Sequence, residues 1–384
     1  MSLLQKGAIT RRGGLPTFKP IGLAPQKAVA NAGGADALRD TFQRKVVYDG
    51  TRFFIVYWNA TTKDLFYTSS LDAVTWEAAV SLGSFSVGPY YGGNADVLYP
   101  NNGALTPPIG ESFQLSICFS GSNGANWYGS TYNIVGATLS NVRNTQMSSG
   151  SAQGGSLALD LDASTQYWVL HGAAYLQLGE WATGHATSTD VPHGGTTTGG
   201  AQILPYKTAS PYKLFVLAKG GDNKLYYNVA NDGVGSFVGS FAAIATLGTG
   251  FSDWCACTEA QGVGDPEIIH MVYIKSTGEL CYQKFESDAL GSEVELAASG
   301  ASYPVIACGT SDRLYVFYVK SGKIWLLHFD GSTWQTAIGL FTSSHSYNTP
   351  AYLSCNQNVQ SGKICLVWVE GTSTYEVWFC YLED

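Results

Sequence analysis

One pattern of apolar and polar positions recurs along the chain: an apolar strand, a short polar turn, then a second strand rich in aromatics. It runs through residues 53–58 (Phe-Phe-Ile-Val-Tyr-Trp) and 64–67 (Asp-Leu-Phe-Tyr). It returns at 214–217 with 224–227, at 270–274 with 279–282, at 314–318 with 323–325, and at 365–368 with 375–378. The equivalent positions Leu225, Leu280, Ile324 and Val377 are about 44 to 55 residues apart, the length of one four-stranded propeller blade. From Leu65 to Leu225 there is room for three such steps, and two weaker copies fit there, at 113–118 with 126–128 and at 167–170 with 175–178. The strands are apolar almost without alternation, which suits sheets covered on both faces by neighbouring blades.

The expected fold is therefore all-β: a β-propeller of about seven four-stranded blades, with six or eight as alternatives. The last copy supplies three strands, near 351–355, 364–369 and 375–382. A fourth is expected from residues 14–36, so that the N-terminal stretch closes the ring. Two regions result: residues 1–39 as a basic extended arm with the closing strand, and residues 40–384 as the propeller.

Composition agrees with strands. Of 384 residues, 13% are aromatic and 13% charged, and Gly numbers 45. Aromatics favour a pleated, half-buried surface, and Gly serves tight turns. The net charge of −8 argues against a nucleic-acid partner. No run of 18 apolar residues occurs, so no membrane span is expected. Residues 1–35 carry Lys6, Arg11, Arg12, Lys19 and Lys27 and no acid, so the arm is expected to dock on another subunit. The start lacks the apolar stretch of a secretory signal.

Two turns carry a further signal: Ser70-Leu-Asp72-Ala-Val-Thr75-Trp76 and Asp330-Gly331-Ser-Thr333-Trp334. They resemble the Asp box of sialidase-like propellers, each about one residue shorter than usual. The resemblance implies a structural turn followed by a Trp packed between blades. It also implies a catalytic set of three arginines, a Tyr nucleophile assisted by a Glu, and an Asp acid/base. That set is not expected here. Arg52, Lys213 and Arg313 share one place in their repeats, and Arg44 stands at the propeller's edge. No metal spacing, nucleophile elbow or phosphate loop occurs, so neither metal, cofactor nor enzymatic activity is expected.

Eight cysteines are present, none as CxxC. Buried thiols are one reading and disulfides the other. Cys365 and Cys380 are positioned to face each other across a hairpin. Trp127, Tyr128, Trp168, Trp181 and Trp254 are candidates for stacking on sugar rings.

The leading functional expectation is a non-enzymatic structural or adhesive propeller of a virus particle, such as a phage tail, collar or fibre-associated protein, or of a cell exterior. Its partners would be other virion or surface subunits, reached through the arm in an oligomeric assembly, and glycans. The alternative is a secreted carbohydrate-binding propeller lectin or sialidase-like glycoside hydrolase.

Overall fold

A computed structural model describes residues 22–84, 95–99, 114–120, 126–149, 152–159, 166–172, 176–180, 200–207, 213–231, 240–248, 253–259, 268–342 and 345–384. They form seven antiparallel sheets arranged as a seven-bladed propeller. Blade 1 holds strands Val46–Tyr48, Phe53–Asn59, Asp64–Ser70 and Val80–Ser84, and blade 2 holds Ala95–Leu98, Leu115–Ser120, Asn126–Val135 and Thr138–Ser149. Blade 3 shows Ala152–Leu159, Gln166–Gly172 and Leu176–Glu180 among the described residues. Blade 4 holds Ala201–Lys207, Lys213–Lys219, Lys224–Asn231 and Ala242–Thr246. Blade 5 holds Trp254–Thr258, Ile268–Ile274 and Leu280–Glu286, with Ala289–Leu290 and Val294–Ala297 outside them. Blade 6 holds Ala301–Cys308, Arg313–Lys320, Lys323–Asp330 and Ile338–Gly339.

Blade 7 closes the ring as expected. Its inner strands are Ala351–Cys355, Lys363–Glu370 and Glu376–Glu383, and its outermost strand is Gly22–Val29 from the front of the chain. Gln26 pairs with Phe379, Lys27 with Trp378 and Val29 with Val377. All seven repeat copies fall on the second and third strands of their blades. These strands are buried on both faces: Phe53, Phe54, Ile55, Val56, Tyr57 and Trp58 all lie in the core. Successive residues join different clusters, Ile55 packing toward blade 7 and Val56 toward blade 2. Each blade's apolar faces are thus hidden by its neighbours.

The centre of the ring is filled by the chain itself. After a 3-10 turn at Ala35–Leu38, residues 40–45 meet the innermost strands of several blades. Thr41 Oγ1 donates to Trp254 O of blade 5 (2.8 Å), and Gln43 Nε2 to Gly155 O of blade 3 (2.6 Å). Blade 7 donates in return, from Ser354 Oγ to Gln43 O and from Gln357 Nε2 to Phe42 O, each 2.8 Å. Phe42 stacks on Trp254, with centroids 4.6 Å apart and planes 6° from parallel. Arg44 is not at the edge of the propeller but at this centre. Two of its nitrogens reach the Asp96 carboxylate of blade 2, at 3.1 and 2.5 Å, while its main-chain N–H donates to the same carboxylate at 2.7 Å. Asp96 is fully buried, and a buried carboxylate is tolerated when it is paired and hydrogen-bonded in this way. Burial also pulls Lys45 down to about 8 and raises Asp40, the desolvation outweighing their mutual attraction. Lys45 Nζ donates to Gln43 Oε1 and Ala95 O.

Each of the two Asp-containing turns is held by its own aspartate. Asp72 Oδ1 accepts from the main-chain N–H groups of Val74 (2.9 Å) and Thr75 (2.7 Å) and from Ser70 Oγ (3.0 Å). Asp330 Oδ1 accepts from the N–H groups of Ser332 and Thr333, and Gly331 takes a positive φ of 93°. The tryptophans that follow pack across blade boundaries, Trp76 against Phe379 of blade 7 and Trp334 against Tyr282 of blade 5. Hydrogen bonds from Thr75 and Val74 hold the Asp72 carboxyl at about 2, below the ordinary carboxylate value. Its folded pKa is depressed, so its contribution is full above the ordinary pKa and is lost as pH falls toward 2. Asp72→Ala is therefore expected to lower the thermal midpoint at pH 7 and to differ less from the parent at pH 3. A penalty independent of pH would show that the carboxylate is not what holds the turn.

Among the described residues, no helix is long and apolar enough to cross a membrane.

Candidate functional site

Most residues singled out in the sequence serve the fold. Trp127 and Trp254 are wholly buried and Trp168 nearly so, so they cannot present a ring face to a sugar. The reason is local: a Trp on a strand covered on both sides fills the core. A Cβ on Gly179 would sit 2.1 Å from the Trp168 ring, so even the neighbouring strand is shaped around it. Tyr128 is half-buried and stacks on Phe119. Trp181 lies outside the described residues, as do Lys6, Arg11, Arg12 and Lys19. Lys27 belongs to the closing strand rather than to a free arm, and its Nζ donates to Glu376 Oε1 at 2.6 Å.

Cys365 and Cys380 do not face each other. Cys365 pairs with Tyr381 and Cys380 with Leu366, and that offset of one residue sends the side chains to opposite faces. Cys365 packs toward blade 1 and Cys380 toward blade 6.

The three cations that share a repeat position lie on blades 1, 4 and 6 and each meets its own acid. Arg52 reaches Glu77 (3.5 Å), Lys213 reaches Asp288 of blade 5 (2.9 Å), and Arg313 reaches Asp384 of blade 7 (3.3 Å). They tie turns to strands, and do not converge on one ligand carboxylate.

One described surface where aromatic rings and polar groups meet lies between blades 6 and 7. Trp368 and Trp378 pair directly across two strands of blade 7 and so share a face, the one turned to blade 6. Glu370 and Glu376, the next pair on that face, organise the indoles. Glu370 Oε1 accepts from Trp368 Nε1 (2.6 Å), and Glu376 Oε2 from Trp378 Nε1 (3.1 Å). The loop entering blade 7 adds His345 and Tyr347. His345 Nε2 lies 2.8 Å from Glu370 Oε1, and Asn348 N–H donates to Glu370 Oε2 at 2.9 Å. The His345 ring stands edge-on to Trp378 at 4.6 Å and to Tyr347 at 4.7 Å. Lys27 Nζ lies 5.6 Å from the Trp378 ring centre. Trp368 and Glu370 are buried, His345, Tyr347 and Trp378 are half-buried, and Ser346, Asn348, Thr349, Thr372, Ser373 and Thr374 are exposed around them. Burial raises the Tyr347 hydroxyl, which stays protonated at any ordinary pH. These contacts set aromatic rings beside hydroxyl, amide, carboxylate and ammonium groups.

A similar carboxylate–histidine pair lies on blade 5. His270 contacts Tyr282 OH (2.7 Å) through Nδ1 and Glu259 (2.6 Å) through Nε2, and both His270 and Tyr282 are buried. Both ring nitrogens are occupied, so this group reads as structural. Among the described residues, no group of His, Cys, Asp and Glu side chains is placed to hold a metal ion.

The chain matches no family model and no curated protein in sequence. Its fold is similar to solved structures. The BP39L lectin from Burkholderia pseudomallei is 12% identical with a TM-score of 0.65, over 88% of this chain and 96% of that one. A polysaccharide lyase, the PL25 ulvan lyase bound to -[GlcA(1-4)Rha3S]-, is 10% identical with a TM-score of 0.57, over 95% and 96%. BBS1N, in complex with ARL6DN, is 9% identical with a TM-score of 0.56, over 94% and 98%. At such identities the likeness is one of fold. None of the three supports the virus-particle expectation or the resemblance to sialidase-like propellers.

In sequence, Trp368 and Trp378 read only as strand residues, and His345 and Tyr347 stand out by no motif. The available signal was the spacing Trp368-x-Glu370 and Glu376-x-Trp378 on either side of one hairpin, which puts both indoles and both acids on one face.

Proposed function

We propose that this propeller is a carbohydrate-binding protein and that the blade 6–7 cleft is where it holds saccharide. The observation that carries the reading is the half-buried Trp378, fixed by Glu376 and flanked by His345, Tyr347 and a polar rim. A pyranose has an apolar C–H face and a hydroxyl edge. An aromatic floor beside a few placed polar groups suits both at once. The fold likeness to a lectin and to a lyase solved with a saccharide supports this reading over the virus-particle one. That reading rested on composition and on the N-terminal arm, and Lys27 of that arm is paired within blade 7.

Binding, not turnover, is the proposed role. Glu370 accepts three hydrogen bonds in the buried part of the cleft, so it orders the site and is not free to act as a base.

The test is a glycan array followed by titration of the best-bound saccharide. Trp378→Ala is expected to weaken binding at least tenfold. Glu376→Gln is expected to weaken it while moving the thermal midpoint little, because the exposed Lys27–Glu376 pair adds little stability. Absence of any saccharide binding by the parent protein, or binding unchanged in both variants, would refute the proposal.

A further inference from the structure

All eight cysteines are buried, but their surroundings differ. Cys355 Sγ points at the carbonyl of Ile306 (3.3 Å), and Cys255 Sγ lies against Ala256 O and Gln357 Nε2. Cys365 and Cys380 are on opposite faces of blade 7. Cys257 and Cys308 are different. Cys257 lies on the innermost strand of blade 5 and Cys308 ends the innermost strand of blade 6. Their sulfurs are 2.8 Å apart, across 51 residues of chain. A disulfide needs a separation near 2.04 Å, so the sulfurs must approach by about 0.8 Å. The two strands already pack side by side.

We propose that Cys257 and Cys308 form a disulfide that staples blade 5 to blade 6 when the chain folds in the presence of a disulfide oxidant. One thiolate attacks the oxidant, for instance glutathione disulfide, releasing one glutathione thiolate and leaving a mixed disulfide. The second protein thiolate attacks that bond and releases the second glutathione. The protein loses two protons and two electrons, and the oxidant's S–S bond is reduced to two thiols. The reaction belongs to folding. In the finished propeller both sulfurs are closed to solvent, and burial raises the Cys257 thiol well above its ordinary value, so little thiolate is present to attack.

The experiment is cell-free synthesis of the full chain in a glutathione buffer of oxidising poise, with a parallel synthesis in dithiothreitol. Free thiols are counted in the soluble fraction after denaturation, and the oxidised sample is digested without reduction for mass spectrometry. The expected count is six in the oxidised sample and eight in the reduced one, with one cross-linked peptide pair containing Cys257 and Cys308. The protein synthesised in dithiothreitol is then expected to melt roughly 5 °C below the oxidised protein, as for a cross-link closing a loop of this length in a chain of this size. The double variant Cys257→Ala/Cys308→Ala should show no such shift. Eight free thiols in the oxidised sample, or a cross-link joining any other pair, would overturn the proposal. The result is independent of saccharide binding, which uses neither residue.

Discussion

Phe42→Ala is expected to destabilise the protein by about 3–5 kcal/mol, the range for emptying a buried aromatic site. Phe42 is fully buried at the centre of the ring and stacked on Trp254. Collapse into the vacated space is opposed by hydrogen bonds that tie the inner strands to one another. Leu157 N–H donates to Asp96 Oδ2, Ile203 N–H to Ser156 Oγ, and Gln202 Nε2 to Ala256 O. The partner test works from the other side. A Cβ on Gly200 of blade 4 would lie 1.9 Å from Phe42 Cζ, so Gly200→Ala overpacks the same spot. Chemical denaturation of both variants measures the effect. A loss under about 1 kcal/mol for Phe42→Ala would mean that residues 40–45 are not an integral part of the core.

Deleting residues 22–29 is expected to abolish cooperative folding. Without that strand, Glu376–Glu383 becomes an open edge, and unpaired strand edges invite association with other chains. The deletion also frees the segment that leads into the central residues 40–45. Aggregation or a broad, uncooperative melt is expected by size-exclusion chromatography and near-ultraviolet circular dichroism. A monomer melting at the parental temperature would show that the ring does not depend on its closing strand.

The blades were legible because their defining contacts are local. In blade 4, Lys213–Lys219 and Lys224–Asn231 pair across a four-residue turn, so the repeat shows in a short window of sequence. The closing strand was legible by counting, since blade 7 lacked a fourth strand. The central segment was not. Asp40-Thr-Phe-Gln-Arg-Lys45 carries no strand pattern, and its partners Ser354 and Gln357 lie more than 300 residues away. Long-range satisfaction of charged groups leaves no local signature. The tryptophans show a second limit. An indole suits both a blade core and a sugar platform, and its type alone does not say which. Trp254 and Trp378 differ in what covers them: Phe42 from the chain's centre in one case, and a loop that leaves the ring half-open in the other.

The most direct measurement is a crystal structure of the protein with the saccharide that it binds best. The sugar is expected against the indole of Trp378, within hydrogen-bonding reach of Glu376 or of the polar residues around the cleft. A sugar seated on another blade, with the cleft between blades 6 and 7 vacant, would contradict the assignment.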